Sequence, residues 1–243
     1  MNKVIENWRG GLIVSCQAPA NSPLARPEII AAFAETAEIN GAIGVRIDSP
    51  THISAVKQSV RLPILGIYKV VTESSEVYIT PTFEAAQKIA DAGADVIALD
   101  ATFRTRPNGE KLEKVIEQIR LQLRKPLMGD VATYTDGVRA AEENGLDLVS
   151  TTLSGYTFET KHLKEPDFDL VEKLANRLQI PVICEGRLRS LGDVRRAFNC
   201  GAFAVVVGGA ITGIDNLVSQ FVSATPAFSV KERLKEPQMS FVK

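Results

Sequence analysis

Cysteine and histidine are scarce in this sequence, and each scarcity argues against a class of protein. The three cysteines, Cys16, Cys184 and Cys200, are odd in number and show no C-x-x-C spacing. That pattern speaks against a disulfide framework and for thiols in a reduced cytosol. His52 and His162 are the only histidines and belong to no metal-ligand pattern, so no zinc or other metal site is expected. An excess of one charge is missing as well: 28 Lys+Arg stand against 29 Asp+Glu, a net charge of −1. Such a balance offers no electrostatic footprint for nucleic acid or a membrane surface. No apolar run approaches the roughly 18 residues of a transmembrane helix. The opening stretch, MNKVIENWRGG, has acidic and amide side chains where a secretory leader would carry its apolar segment. A cytoplasmic protein without nucleic-acid or membrane partners is the expectation.

Apolar residues, by contrast, make up 45% of the 243 residues, enough for a sizeable core. They fall in short runs separated by amphipathic segments of helical period. Proline introduces three of the runs, at Pro63, Pro126 and Pro181; a glycine step introduces four others, at Gly41, Gly93, Gly145 and Gly201. The glycines suit the left-handed turn after a helix, and the prolines stop a helix and start a strand. The two kinds alternate. Gly41 to Gly93 and Gly93 to Gly145 are each 52 positions, and Gly145 to Gly201 is 56. A recurrence of that length predicts a (βα)2 unit used four times. With GGLIVSCQ as the first strand the count reaches eight, which predicts a single (β/α)8 TIM barrel over residues 1–225, followed by a polar tail over 226–243. A doubly wound open sheet would carry a Gly-rich loop after its first strand, and SCQAPANSPLARP has none.

Barrel active sites lie at the C-terminal ends of the strands. The residues there are Gln17, Arg46 with Asp48, Lys69, Asp100, Asp130, Thr151 with Thr152, Glu185 with Arg187, and Gly208-Gly209. One strand-end aspartate is commonly a helix cap or turn former. A full ring of polar ends around one rim calls for a site. Lys69 closes the otherwise apolar run PILGIYKVV, and burying it unpaired in hydrocarbon would be costly. Three roles are open to it: Schiff-base formation, proton abstraction with a lowered pKa, or an ion pair with Asp100, Asp130 or Glu185. Glu185 stands opposite in barrel order, so the two bracket a bound carbon and suit proton transfer. Gly208 and Gly209, with Gly186, are placed to present backbone N–H groups to a phosphate. Thr152 and Arg187 are candidate substrate contacts.

Across residues 10–225 the stretches GLIVSCQA, GAIGVRI, PILGIYK, ADVIALDATFRTRP, MGDVAT, LVSTTLSGYT, PVICEGR and VVVGGAIT resemble the N-acetylmannosamine-6-phosphate 2-epimerases of sialic acid catabolism. The resemblance implies a cofactor-free isomerase acting on a small aminosugar phosphate, and a homodimer. It assigns C2 proton removal to Lys69 and proton movement at the C1/O1 end to Glu185, with Gln17, Arg46 and Asp130 lining the sugar site. Either a second residue reprotonates C2, or Lys69 does so after the intermediate turns. One departure stands out. After GGAIT the family commonly continues with Arg-Pro, the arginine reaching the phosphate; here Gly213-Ile214 follow. Either Arg187 or another basic side chain takes over, or backbone amides suffice. The competing readings are a barrel lyase or decarboxylase using Asp100 with Lys69, and a non-catalytic sugar-phosphate-binding paralogue.

Overall fold

The computed structural model describes residues 2–227. A short helix α1 (Lys3–Glu6) precedes β1 (Leu12–Cys16), α2 (Pro27–Ile39), β2 (Gly44–Asp48), α3 (Pro50–Ser59) and β3 (Ile64–Ile67). Then come α4 (Phe83–Asp91), β4 (Val96–Asp100), α5 (Leu112–Gln118), β5 (Leu127–Asp130), α6 (Tyr134–Glu142) and β6 (Leu148–Ser150). The last elements among the described residues are α7 (Phe168–Arg177), β7 (Val182–Glu185), α8 (Leu191–Asn199), β8 (Ala204–Val207) and α9 (Ile214–Ser223). The eight strands close in sequence order into one parallel barrel, β8 pairing with β1. The expected (β/α)8 architecture is therefore the observed one. The polar tail expected from residue 226 lies, from 228 onward, outside the described residues.

The alternating punctuation works as read. Gly41, Gly93, Gly145 and Gly201 all take positive φ, from 61° to 109°, where a side chain would be strained. Pro63, Pro126 and Pro181 each stand directly before a strand. Helix starts are fixed locally too: Thr133 with Asp136 and Ser190 with Asp193 form capping boxes at α6 and α8, satisfying amide groups that would otherwise lack partners.

Period-two alternation separates two cores. Val14, Val45, Ile97, Leu99 and Val205 point outward into the layer beneath the helices. Ile13, Leu65, Ile67, Val96, Ala98, Met128, Leu148, Ile183, Ala204 and Val206 fill the barrel interior, where Ile5 and Trp8 plug the bottom. Continuing that inward register up each strand leads to Ser15, Arg46, Asp100, Asp130, Ser150 and Glu185. The strands turn polar at one level, and that level is the floor of the mouth. Among the described residues no helix is long and apolar enough to cross a membrane, and Cys16, Cys184 and Cys200 are unpaired.

Candidate active site

A cavity of about 670 Å³ occupies the mouth at the C-terminal ends of the strands. Gln17, Arg46, Lys69, Thr152 and Glu185 line its floor and walls, with Gly186, Arg187, Gly208 and Gly209 at the β7–β8 end. Nine of the ten expected site residues thus share one cavity. Asp130 does not. It is fully buried behind Arg46, whose guanidinium grips it through Nη2 to Oδ2 at 2.6 Å and Nη1 to Oδ1 at 3.1 Å. The structure makes Asp130 a support for the arginine rather than part of the cavity lining.

Arg46 is the hub. Its Nη1 also donates to Glu185 Oε2 at 2.6 Å, so one buried cation serves two carboxylates. The Thr152 hydroxyl lies 2.8 Å from Asp130 Oδ1 and 3.0 Å from Glu185 Oε2. Having one proton, it donates to one of them at a time. Desolvation works against the charge on Arg46, but Asp130 and Glu185 outweigh it and hold the guanidinium protonated. Glu185 moves the other way: burial raises it to about 7, with Arg46 opposing and Asp130 assisting. Its Oε1 accepts no hydrogen bond among the described residues. A carboxyl raised toward neutrality by burial, with one oxygen unengaged, is equipped for acid–base work.

Lys69 sits just beyond β3, and its place is set by a small hairpin that the sequence did not disclose. Lys69 and Ile79 form an antiparallel bridge, flanked by Val70 N–H to Tyr78 O at 2.9 Å and Thr80 N–H to Tyr68 O at 2.8 Å. Asp48 Oδ1 accepts the Lys69 backbone N–H at 3.0 Å. The ammonium donates to Gln17 Oε1 at 2.5 Å and lies 3.9 Å from Asp48 Oδ2. None of Asp100, Asp130 and Glu185 forms an ion pair with it. Desolvation in the mouth lowers the Lys69 pKa below its ordinary value; Asp48 opposes the shift and Arg46 adds to it. Less free energy is then needed to make the amine neutral, and only the neutral amine can take a proton.

Asp100 is turned into its own loop. Oδ1 accepts from Thr102 N–H at 2.9 Å and from the Thr102 hydroxyl at 2.7 Å, and Oδ2 pairs with Arg104 at 2.6 Å. Arg104 also donates to Glu76 O at 3.3 Å, and Ser75 Oγ to Thr105 O at 2.7 Å. The DATFRTRP segment therefore clamps the hairpin that carries Lys69, and Asp100 is unavailable to a substrate. Tyr78, Arg189 and Asp215 also line the cavity and were missed in the sequence. They lie in loops and a helix start, away from the strand-end positions that periodicity marks.

A lysine and a carboxyl group with opposed pKa shifts, meeting at the mouth of a closed parallel barrel, define an enzyme of acid–base chemistry. More narrowly, the chain belongs to the NanE family, described as "Putative N-acetylmannosamine-6-phosphate epimerase", whose pattern it matches over residues 30–227. It is 50% identical over 219 residues, 90% of this chain and 95% of the other, to a "Putative N-acetylmannosamine-6-phosphate 2-epimerase" of Thermosynechococcus vestitus. A protein of the same description from Clostridioides difficile is 42% identical over 221 residues, covering 91% of this chain and 98% of that one. Among solved structures, the N-acetylmannosamine-6-phosphate 2-epimerase from Clostridium perfringens superimposes with a TM-score of 0.87 at 38% identity, over 92% of this chain and 97% of the other.

Proposed function

We propose that this protein interconverts N-acetyl-D-mannosamine 6-phosphate and N-acetyl-D-glucosamine 6-phosphate by inverting C2. The observation that carries the reading is that Lys69, lowered, and Glu185, raised, line one cavity at the ends of β3 and β7, strands opposite in barrel order. Ring opening exposes an aldehyde at C1, which acidifies the C2 hydrogen. Neutral Lys69 takes that proton, and the electron pair left at C2 moves into an enolate with its charge on O1. Glu185, protonated near neutral pH, gives O1 a proton, while the fixed Arg46 cation below supports the developing negative charge. A proton then reaches the opposite face of C2, either from the Lys69 ammonium after the intermediate turns or from a second residue while Lys69 sheds its own to solvent, and return of the O1 proton to Glu185 yields the epimer. No hydride moves and no electron is exchanged with a cofactor, so the chemistry calls for neither nicotinamide nor metal. Gln17, Thr152 and the β7–β8 glycines complete the substrate contacts in this scheme. A cytoplasmic location and a homodimer belong to the same proposal.

Incubation of N-acetylmannosamine 6-phosphate with the protein in D2O, followed by NMR at C2, is the test. Deuterium entering C2 as the second epimer accumulates is the expected result. A substrate that stays protonated and unconverted overturns the assignment.

A further inference from the structure

The β7–β8 end of the cavity holds two arginines and one carboxylate, and they are not equivalent. Arg187 is engaged within the protein: Nη1 donates to Ser154 O at 2.9 Å, and its guanidinium stacks on the Tyr156 ring at 4.4 Å. Arg187 also holds a φ of 58°, a backbone state that few side chains adopt without tertiary support. Its role is to tie the β6 loop to the β7 loop. Arg189, two residues on, lines the same cavity, is exposed, and has no carboxylate within ion-pair distance among the described residues. Its backbone is nevertheless fixed, since its N–H donates to Asp193 Oδ2 at 2.9 Å, next to the capping box of α8. The Gly208–Gly213 turn borders the same cavity, and its Gly209 and Ala210 N–H groups donate to no acceptor among the described residues. Asp215 lines this end too and accepts from Ser22 Oγ at 2.9 Å.

From this arrangement we infer that Arg189 is the cation that selects a phosphorylated substrate. The inference rests on the proposed function above and names the group that gives it phosphate specificity. Backbone amides alone would meet a phosphate dianion in the presence of the Asp215 carboxylate, which repels it. One exposed guanidinium on a fixed backbone, lining the same cavity as the amides, offsets that repulsion and supplies paired N–H donors in the geometry phosphate oxygens accept. Gly213 cannot take the part: a Cβ built there would lie 2.5 Å from Gly209 O, so any side chain at that position requires the turn itself to move.

The test compares the wild type with Arg189→Gln, Arg189→Lys and Arg187→Gln. Arg189→Gln is expected to raise KM for N-acetylmannosamine 6-phosphate by about 10-fold or more with a far smaller loss in kcat, the consequence of losing a charge-assisted contact. Arg189→Lys is expected to recover part of that loss. Calorimetric titration with inorganic phosphate gives a readout that needs no turnover: Arg189→Gln should weaken phosphate binding by a similar factor, and Arg187→Gln should weaken it less. Unchanged KM and unchanged phosphate affinity in Arg189→Gln, or a larger phosphate effect in Arg187→Gln, overturns the inference. If the wild type binds inorganic phosphate through Arg189 yet exchanges no C2 proton in D2O, the epimerase reading fails while the anion site stands.

Discussion

Arg46 sets the chemistry of the site without being placed to exchange a proton itself. Completely buried, it would be costly unpaired, and it is kept by two carboxylates and a threonine hydroxyl. Its positive charge pulls the pKa values of both Glu185 and Lys69 downward, yet the net outcomes differ. Desolvation penalises the charged form of each group, which raises an acid and lowers a base, and it is the largest influence on both. The pH profile follows from these signs. The proposed reaction needs neutral Lys69 and protonated Glu185 together, so kcat/KM should be bell-shaped in pH, with one of its two limbs set by Glu185 near 7. Thr152→Val removes a hydrogen bond that lowers Glu185, and the limb set by Glu185 should move to higher pH; a limb that stays put detaches Glu185 from that role. Lys69→Ala should abolish deuterium exchange at C2 while the far-ultraviolet circular dichroism remains that of the folded barrel. Exchange at near the wild-type rate would remove Lys69 as the base. Lys69, Glu185 and Arg46 stood out in the sequence because they are charged residues at or near the ends of otherwise apolar runs. Asp130, expected as a substrate contact, lies buried against Arg46, a depth the sequence could not show because periodicity gives a side chain's facing only.

The strands and helices were legible to nearly the same degree, for a physical reason. Seven of the eight strands carry a boundary mark of their own at the entrance, either a glycine in the left-handed turn or a proline. The hairpin around Lys69 has no comparable marks. Its connecting residues, TESSEV, include no Asn-Gly or Gly-Gly pair of the kind that announces a tight hairpin. Its pairing comes down to two isolated bridges, Lys69 with Ile79 and Thr72 with Ser75. Tertiary contacts hold it instead, above all Arg104 joining Asp100 to Glu76 O. Arg104→Ala should therefore act at a distance. Cutting the clamp leaves the cavity's own residues in place but lets the Lys69 backbone wander, and misplacement of a reacting group by about 1 Å can cost on the order of 100-fold in rate. The expected signature is a fall in kcat of about 10-fold or more with KM changed far less, and Arg104→Lys recovering only part of it, because an ammonium cannot span both acceptors in a fixed fork. Equal losses in kcat for Arg104→Ala and for a substitution of exposed Lys88 in α4 would show that the clamp does not position the base.

The described residues include an apolar surface along α9 at odds with its surroundings. Ile214, Leu217, Val218, Phe221 and Val222 recur along α9 at the spacing of a single helix face, and all five are exposed, from 37% for Leu217 to 77% for Phe221. Helices α2 and α7 each bury four residues, whereas α9 buries none. Hiding such side chains from water stabilises by roughly 1.5–3 kcal/mol each when burial is complete, so an uncovered stripe of this length favours association. A second copy of the chain is the occupant proposed with the function, since an isologous contact lets the same stripe cover itself. The consequence reaches the site, because Leu217 belongs both to the stripe and to the cavity wall. Sedimentation equilibrium at micromolar concentrations should give the mass of a dimer. Val218→Asp combined with Phe221→Asp, which places two carboxylates on the face, should give a monomer with weakened substrate binding. Removal of residues 228–243 discriminates the other possible cover: if those residues mask the stripe in a monomer, the shortened chain will associate more strongly than the full one. If the stripe already pairs two chains, the shortened form will keep the dimer mass. A monomeric wild type whose mass and KM are both indifferent to the double substitution would mean that the α9 face is no interface between copies.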